Sequence, residues 1–251
     1  MIRLIRVELL KLRTTRMWIV MLGVGVALVT LIIVLVLASK PGQDPQAQSL
    51  HQLKTVADVR MLLDIGGIAG ELALVIGVTM ATSEYRYATA GVTYLATPRR
   101  PRVVTAKMLA AAPVGALFGL VGGCVPLLIA LVWFAAKGDH VPLDHTVPLE
   151  ILQLGFAATY GAVMGVAVGA VIRNQVAAVV GLLVWVLAVE NIVSGLIPVT
   201  AKWFPFNGAA GAFSSQASDR LFARPEAALL MAAYIVVGWT LAVSFERRRD
   251  V

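Results

Sequence analysis

The chain is poor in charge. Only 14% of its 251 residues are Asp, Glu, Lys or Arg, against about a quarter in an ordinary soluble domain. With 59% hydrophobic residues it lacks the polar groups to cover a water-exposed globule, so lipid must solvate much of its surface. Cysteine is nearly absent too. Cys124 stands alone in an apolar run, which excludes a disulfide framework or a thiolate metal set and leaves a small buried hydrophobe as its expected role. No GxxxxGK[ST] phosphate loop, HExxH or GxSxG occurs, so no catalytic residue is assigned. The polar run "KGDHVPLDH", with Asp139, His140, Asp144 and His145, has the five-residue histidine spacing of a solvated loop and not of a metal site. Long polar segments are missing as well. The connections at 39–60, 83–107 and 195–226 are each too short to bury a core of their own, so residues 1–251 read as a single transmembrane domain with no soluble domain.

What the chain has instead is apolar runs. About 20 apolar residues cross a bilayer as a helix, and six runs qualify, at 17–38, 61–82, 108–136, 151–172, 176–194 and 227–245. The first has 22 uncharged residues, longer than the roughly 7–15 of a signal-peptide core, so it reads as a retained span. The net charge of +7 is spread beside the spans instead of gathered on one surface, which points to topology and away from nucleic acid. Fourteen Lys and Arg residues flank one side of a six-span arrangement and seven the other. The positive-inside rule then puts both termini in the cytoplasm.

Several elements stand out within this frame. In the N-terminal segment, Ile2, Ile5, Leu9 and Leu12 share a helical face, and Arg3, Arg6, Lys11 and Arg13 fall outside it, the pattern of a basic amphipathic helix on a membrane surface to which Glu8 and Arg16 also belong. Gly115, Gly119 and Gly123, and again Gly161, Gly165 and Gly169, recur every four residues. Such stripes let helix backbones approach closely, within one chain or against a second copy. Pro113 and Pro126 predict kinks in the third span. Asp64, Glu71 and Glu190 are carboxylates at lipid depth, where charge usually faces a cavity or a partner. The seven-residue spacing puts Asp64 and Glu71 on one face of the second span, a possible polar patch on a translocation pathway. The connection 195–226 mixes Trp203, Phe204, Phe206, Phe213 and Phe222 with Pro and Gly, which suggests short re-entrant helices in the outer leaflet.

Between the second and third spans lies "SEYRYATAGVTYLATPRRPR" (83–102), rich in charge and tyrosine. It is too short for a domain and too aromatic for a bare linker, and suits a partly desolvated protein contact. This stretch and the N-terminal "RVELLKLRTTRMW" carry a resemblance to a family. Glu8, Lys11, Leu12, Thr14 and Arg16 match the "E-x-x-K-L-x-T-x-R" opening of the ABC-2 type permeases, the membrane subunits of many bacterial exporters. Glu84, Arg86, Thr89, Leu95, Pro98, Arg99, Arg100 and Lys107 match its second hallmark, with Ala88 where the family often has glycine.

The resemblance implies an all-α polytopic membrane protein of six transmembrane helices. It also implies an N-terminal interfacial helix, a cytoplasmic coupling helix between helices 2 and 3, and outer re-entrant helices between helices 5 and 6. It implies a multi-pass subunit of the bacterial plasma membrane that works with two copies of an ABC ATPase and a second permease chain, identical or homologous. ATP and Mg2+ then belong to the partner, and this chain carries no cofactor of its own. Glu84, Tyr85, Arg86, Thr89, Tyr94 and Leu95 would form the coupling contact, with Glu84 and Arg86 fixing the element and Tyr94 and Leu95 packing it. The substrate expected for so apolar a pathway is amphipathic: a drug, antibiotic, peptide or lipid. Two other classes fit a chain of six spans, an ion- or proton-coupled carrier using Glu71 and a membrane immunity or sensor protein.

Overall fold

In a computed structural model of the protein, residues 1–39, 49–50, 52–87, 89, 91, 95, 99–214 and 220–248 are described. Eight helices carry the architecture: α1 (Ile2–Thr15), α2 (Met17–Ala38), α3 (Val56–Asp64), α4 (Gly67–Arg86), α5 (Arg100–Lys137), α6 (Thr146–Ile172), α7 (Gln175–Leu196) and α8 (Arg224–Arg248). No strand occurs among the described residues. Six helices are long and apolar enough to cross a membrane, with α3 and α4 forming one span.

Local chemistry sets most helix ends. A T-x-x-D capping box starts α3: Thr55 Oγ1 accepts from the Asp58 amide at 3.2 Å, and Asp58 accepts from the Thr55 amide at 2.9 Å. Asn174 caps α7 by accepting from the Ala177 amide at 3.0 Å. Gly138 ends α5 at φ 79°, the left-handed conformation glycine adopts without steric cost. Two corners adopt the same conformation without glycine, Arg16 (φ 51°) between α1 and α2 and Arg173 (φ 58°) between α6 and α7.

The spans extend beyond the apolar runs because helix formation tolerates charge that hydropathy does not. The third runs for 38 residues, about 57 Å at 1.5 Å per residue against a hydrocarbon layer of about 30 Å. Its first turns carry Arg100, Arg102 and Lys107, with Pro101 suited to the helix start. The helix stays continuous through Pro113 and Pro126. The second span departs from a regular helix. Around Ile65 and Gly66 the backbone bonds close three-residue turns, Gly66 N to Leu63 O at 2.8 Å and Ala69 N to Gly66 O at 3.0 Å. The tighter turn advances the chain by about 120° per residue instead of 100°, which over two or three residues rotates Glu71 by about 40–60° relative to Asp64 and leaves the two within about 40° of one face.

The centre of the fold is α4, α5 and α6. In α6 67% of the apolar window is buried and in α3–α4 56%, against 17% for α2 and α8 and 22% for α7. The last three are therefore the rim, with their outer faces left for lipid or another chain. Both glycine stripes are used inside the chain, on different neighbours. The α5 stripe lies on α6: a Cβ at Gly115 would strike the Ala158 carbonyl and one at Gly119 the Leu154 carbonyl. The α6 stripe lies on α4: a Cβ at Gly165 would strike the Leu74 carbonyl, and one at Gly169 would sit 2.7 Å from the Val78 carbonyl. In lipid there is little hydrophobic drive between helices, so this backbone contact supplies much of the attraction. Cys124 is exposed on α5, not buried as expected, because a span apolar all round does not reveal which flank faces inward.

The connection after α7 docks on the bundle through its aromatic residues. It forms a 3-10 turn at Pro198–Trp203, a π turn at Pro205–Ala210 and a 3-10 turn at Gly211–Phe213. Phe213 stacks at 5.0 Å on Phe156 and Phe206 at 5.9 Å on Tyr160, both on α6.

The glycine contacts give a direct test. Gly165→Val should destabilise the protein by roughly 1–3 kcal/mol or more through overpacking. Gly181→Ala, whose added Cβ meets nothing within 4 Å, should leave the thermal midpoint in detergent unchanged. Equal midpoints for the two variants would refute the packing assignment.

Candidate functional site

At the end of the bundle that carries α1, the 87–99 connection and the α6–α7 corner, here called the basic end, polar side chains are built into the core. Glu8, Glu84 and Lys107 are 6%, 5% and 5% exposed. A buried charge is tolerated when it is paired and hydrogen-bonded, and these are. Lys107 Nζ lies 3.0 Å from Glu8 and 3.0 Å from Glu84, and donates to the Met80 carbonyl at 3.3 Å. Lys11 closes the set, 2.8 Å from Glu8 and 2.5 Å from Glu84. Two carboxylates and two ammonium groups thus alternate across α1, α4 and α5. Ile5, Leu9 and Leu12 pack beside them against the core, while Ile2, Arg3, Arg6 and Arg13 stay exposed. The face of α1 that the sequence assigns to a membrane surface is therefore turned largely onto the chain's own bundle, with Glu8 at its centre.

Burial pushes the Lys11 ammonium down, but its hydrogen bonds and ion pairs with Glu8 and Glu84 outweigh this and hold its pKa above the usual lysine value. A group shifted this way contributes stability at and below the ordinary lysine range and loses it as pH rises beyond.

A second cluster lies alongside. Glu246 on α8, 1% exposed, accepts from the Tyr85 hydroxyl and from Arg173 at 2.9 Å. Arg100 donates to its backbone carbonyl. The Arg173 guanidinium sits 4.8 Å above the Tyr85 ring. Through these contacts the ends of α4, α5, α6 and α8 meet. Trp239 adds a bond from α8 to Thr105 on α5 at 2.9 Å.

Of the residues expected to contact a partner, Glu84 and Tyr85 are turned inward by these clusters and present little surface. Arg86 and Thr89 are exposed. Thr89 folds back, its amide donating to the Glu84 carbonyl at 2.9 Å. Leu95 is 86% exposed. Tyr94, Ala88, Pro98 and most of the expected coupling helix lie outside the described residues.

The lipid-depth carboxylates are not brought together. Glu190 is fully buried on α7 and accepts from Trp185 Nε1 at 2.8 Å and the Asn207 amide at 2.6 Å. Asn207 and Asn191 in turn donate to the Val186 carbonyl, which the π turn at Trp185–Val189 leaves available. Glu190 is thus the anchor of the connection after α7. Asp64 lies near Glu150 on α6, and Arg60 reaches the same carboxylate at 2.9 Å. Among the described residues Glu71 meets no cation or hydrogen-bond donor. No group of three His, Cys, Asp or Glu among the described residues is placed to hold a metal ion, and Asp144 accepts from Thr146 Oγ1 at 2.6 Å.

The family model described as ABC-2 family transporter protein matches residues 4–190. The chain belongs to the ABC-2 transporter family. No curated protein matches it. The match begins within α1 and runs to the Glu190 anchor, so it covers both polar clusters except Glu246. The ABC-2 protein is accordingly a multi-pass membrane component of a transporter, a permease instead of an enzyme, and its family implies association with an ABC ATPase.

Sequence inspection missed Glu246 and Glu150, took Arg60 and Arg173 only as charges flanking spans, and took Lys107 as part of the second hallmark without its partners. In "SFERRR" a lone carboxylate beside three arginines is a visible signal for pairing, but not for the partner. If the alternating set holds the permease together, Lys107→Met, which leaves two buried carboxylates short of a cation, should cost about 3–5 kcal/mol. Adding Glu8→Gln should recover part of that loss in a thermal-shift measurement. Recovery absent, or a single variant as stable as the parent, would refute the coupling. As pH is raised from neutral, the α1 contact should hold through the ordinary lysine range and loosen beyond it, read as a fall in thermal midpoint.

Proposed function

We propose that this ABC-2 protein is the membrane-spanning half of an ATP-driven exporter. Two permease chains and two copies of a separate ABC ATPase would move an amphipathic substrate, such as a drug, antibiotic, peptide or lipid, out of a bacterial cytoplasm by alternating access. The basic end is the cytoplasmic face in this reading, following the charge bias of fourteen to seven, and the connection after α7 dips into the outer leaflet. ATP and Mg2+ are bound by the ATPase.

One observation carries the proposal. The connection between α4 and α5 presents Leu95 at 86% exposure beside exposed Arg86 and Tyr87, while its root at Glu84 is bound into three helices at once. A surface for a partner has to be exposed, and a transmission element has to be rigidly joined to what it moves. Glu84 and Tyr85 supply the joint, and Arg86, Thr89, Tyr94 and Leu95 the contact. A push on this connection is passed to α1 and α5 through Lys11 and Lys107, and to α8 through Tyr85 and Glu246. Buried apolar anchors ringed by polar groups carry most binding energy at such contacts.

Leu95→Asp should abolish copurification of the ATPase and ATP-driven transport, while expression and thermal midpoint stay at parental values. A full complement of bound ATPase in that variant would refute the contact. A second reading rests on Glu71, half-buried in α4 with no cation among the described residues. If the permease is an ion- or proton-coupled carrier, the chain alone in proteoliposomes transports without ATP and Glu71→Gln stops it. The exporter reading expects no such activity.

A further inference from the structure

A cavity of about 220 Å3 opens at the basic end, between α1, the start of α2, the last turns of α4 and the start of α7. Its floor is apolar, formed by Leu12, Trp18, Ile76 and Met80. Its rim is polar, formed by Lys11, Ser83, Arg86 and Gln175. Pockets that enclose a drug-sized molecule run to about 300–1,000 Å3, so this one holds a polar headgroup and the first carbons of a chain and no more.

The charge of the cavity is settled by its neighbours. Glu8, Glu84, Lys11 and Lys107 neutralise one another. Arg86 is left over. It donates to the Gln175 side-chain oxygen at 3.1 Å and lies 5.6 Å from the Tyr87 ring, and among the described residues no carboxylate pairs with it. The ligand that fits a single uncompensated guanidinium above an apolar floor is a singly charged anionic amphiphile. Its supply is at hand, since the exposed Arg3, Arg6, Arg13 and Arg16 of α1 draw anionic lipid to this end of the bundle.

We propose that the cavity is a binding site for an anionic phospholipid, with its phosphate on Arg86, Ser83 and Lys11 and its first acyl carbons against Trp18, Ile76 and Met80. A guanidinium suits the phosphate because its fork can donate two parallel hydrogen bonds. The bound lipid bridges α1, α4 and α7 at the root of the α4–α5 connection. The site depends on the membrane placement of the chain and not on the direction of transport; it shares Arg86 with the proposed ATPase contact, and lipid retention by the purified chain without the ATPase tests it separately from that contact.

The test is native mass spectrometry of the purified full-length protein in detergent. It is offered phosphatidylglycerol and phosphatidylcholine of equal chain length, with glycerol 3-phosphate as a chain-free competitor. Phosphatidylglycerol should be retained in preference. Arg86→Gln, which keeps a polar group beside Gln175, should reduce that preference about fivefold, the usual effect of one basic residue at a lipid surface. Leu12→Phe, which fills the floor, should lower occupancy by both lipids, and Arg3→Gln, which removes only diffuse attraction on exposed α1, should lower phosphatidylglycerol retention by clearly less than Arg86→Gln. Equal retention of the two lipids, or an Arg3→Gln loss as large as that of Arg86→Gln, would overturn the site in favour of diffuse attraction. Full displacement by glycerol 3-phosphate would overturn the amphiphile and leave a site for free phosphate esters.

Discussion

An ammonium group inside an apolar bundle survives only beside opposite charge, and Lys107 has two carboxylates and a carbonyl within reach. That constraint organises the basic end. Because Lys107 needs Glu8, α1 is drawn onto the bundle. Because it needs Glu84, the last turn of α4 is held against α5, and the chain must leave the bundle at that point. The connection that follows starts from a fixed root, with Arg86 and Tyr87 directed outward. The pairing satisfies charges whose desolvation would otherwise be costly, and it fixes the apolar face of α1 against α4 and α5.

The same logic, charge satisfied internally, recurs elsewhere with different partners. Glu246 ties α8 to Tyr85 and Arg173, and Glu190 ties the connection after α7 to that helix through backbone amides. Glu150 ties α6 to Arg60. Each of these carboxylates joins elements that the apolar surface alone would leave free to slide, since lipid competes evenly for apolar contacts. The glycine stripes act differently. They bring α4, α5 and α6 to backbone contact and make a dense centre, while α2, α7 and α8 keep most of their apolar surface outward. A transporter subunit needs both, a centre that moves as one body and a joint through which force enters.

In this light the site expected from sequence divides in two. Glu84 and Tyr85 are tied into the bundle, while Arg86, Thr89 and Leu95 are exposed beyond it, the division that the proposed coupling role would use. They are adjacent in sequence but differ in burial, because the α4 helix ends at Arg86 and releases the chain from the bundle there. Glu71, Asp64 and Glu190 looked like one class of intramembrane carboxylate and turn out to have three environments. Linear spacing sets which helix face a residue occupies, but the neighbours that meet that face come from other helices, so spacing leaves the three environments open.

The sequence by itself determined the membrane character, the six spans though with starts up to eight residues late, the charge bias beside them and the family, through the "E-x-x-K-L-x-T-x-R" opening and the stretch after Ser83. These are properties of composition and short-range pattern, which lipid solvation and local helix geometry impose directly on the chain. The tertiary structure alone decided the pairings: Glu8 with Lys107, Tyr85 with Glu246, the α5 glycines on α6 and the α6 glycines on α4. It also decided that Cys124 faces outward and that Glu190 is an anchor. A helix apolar on every side carries no periodic signal for which flank meets a neighbour. The partners of its few charges lie up to 161 residues apart, so only the packed bundle brings them together.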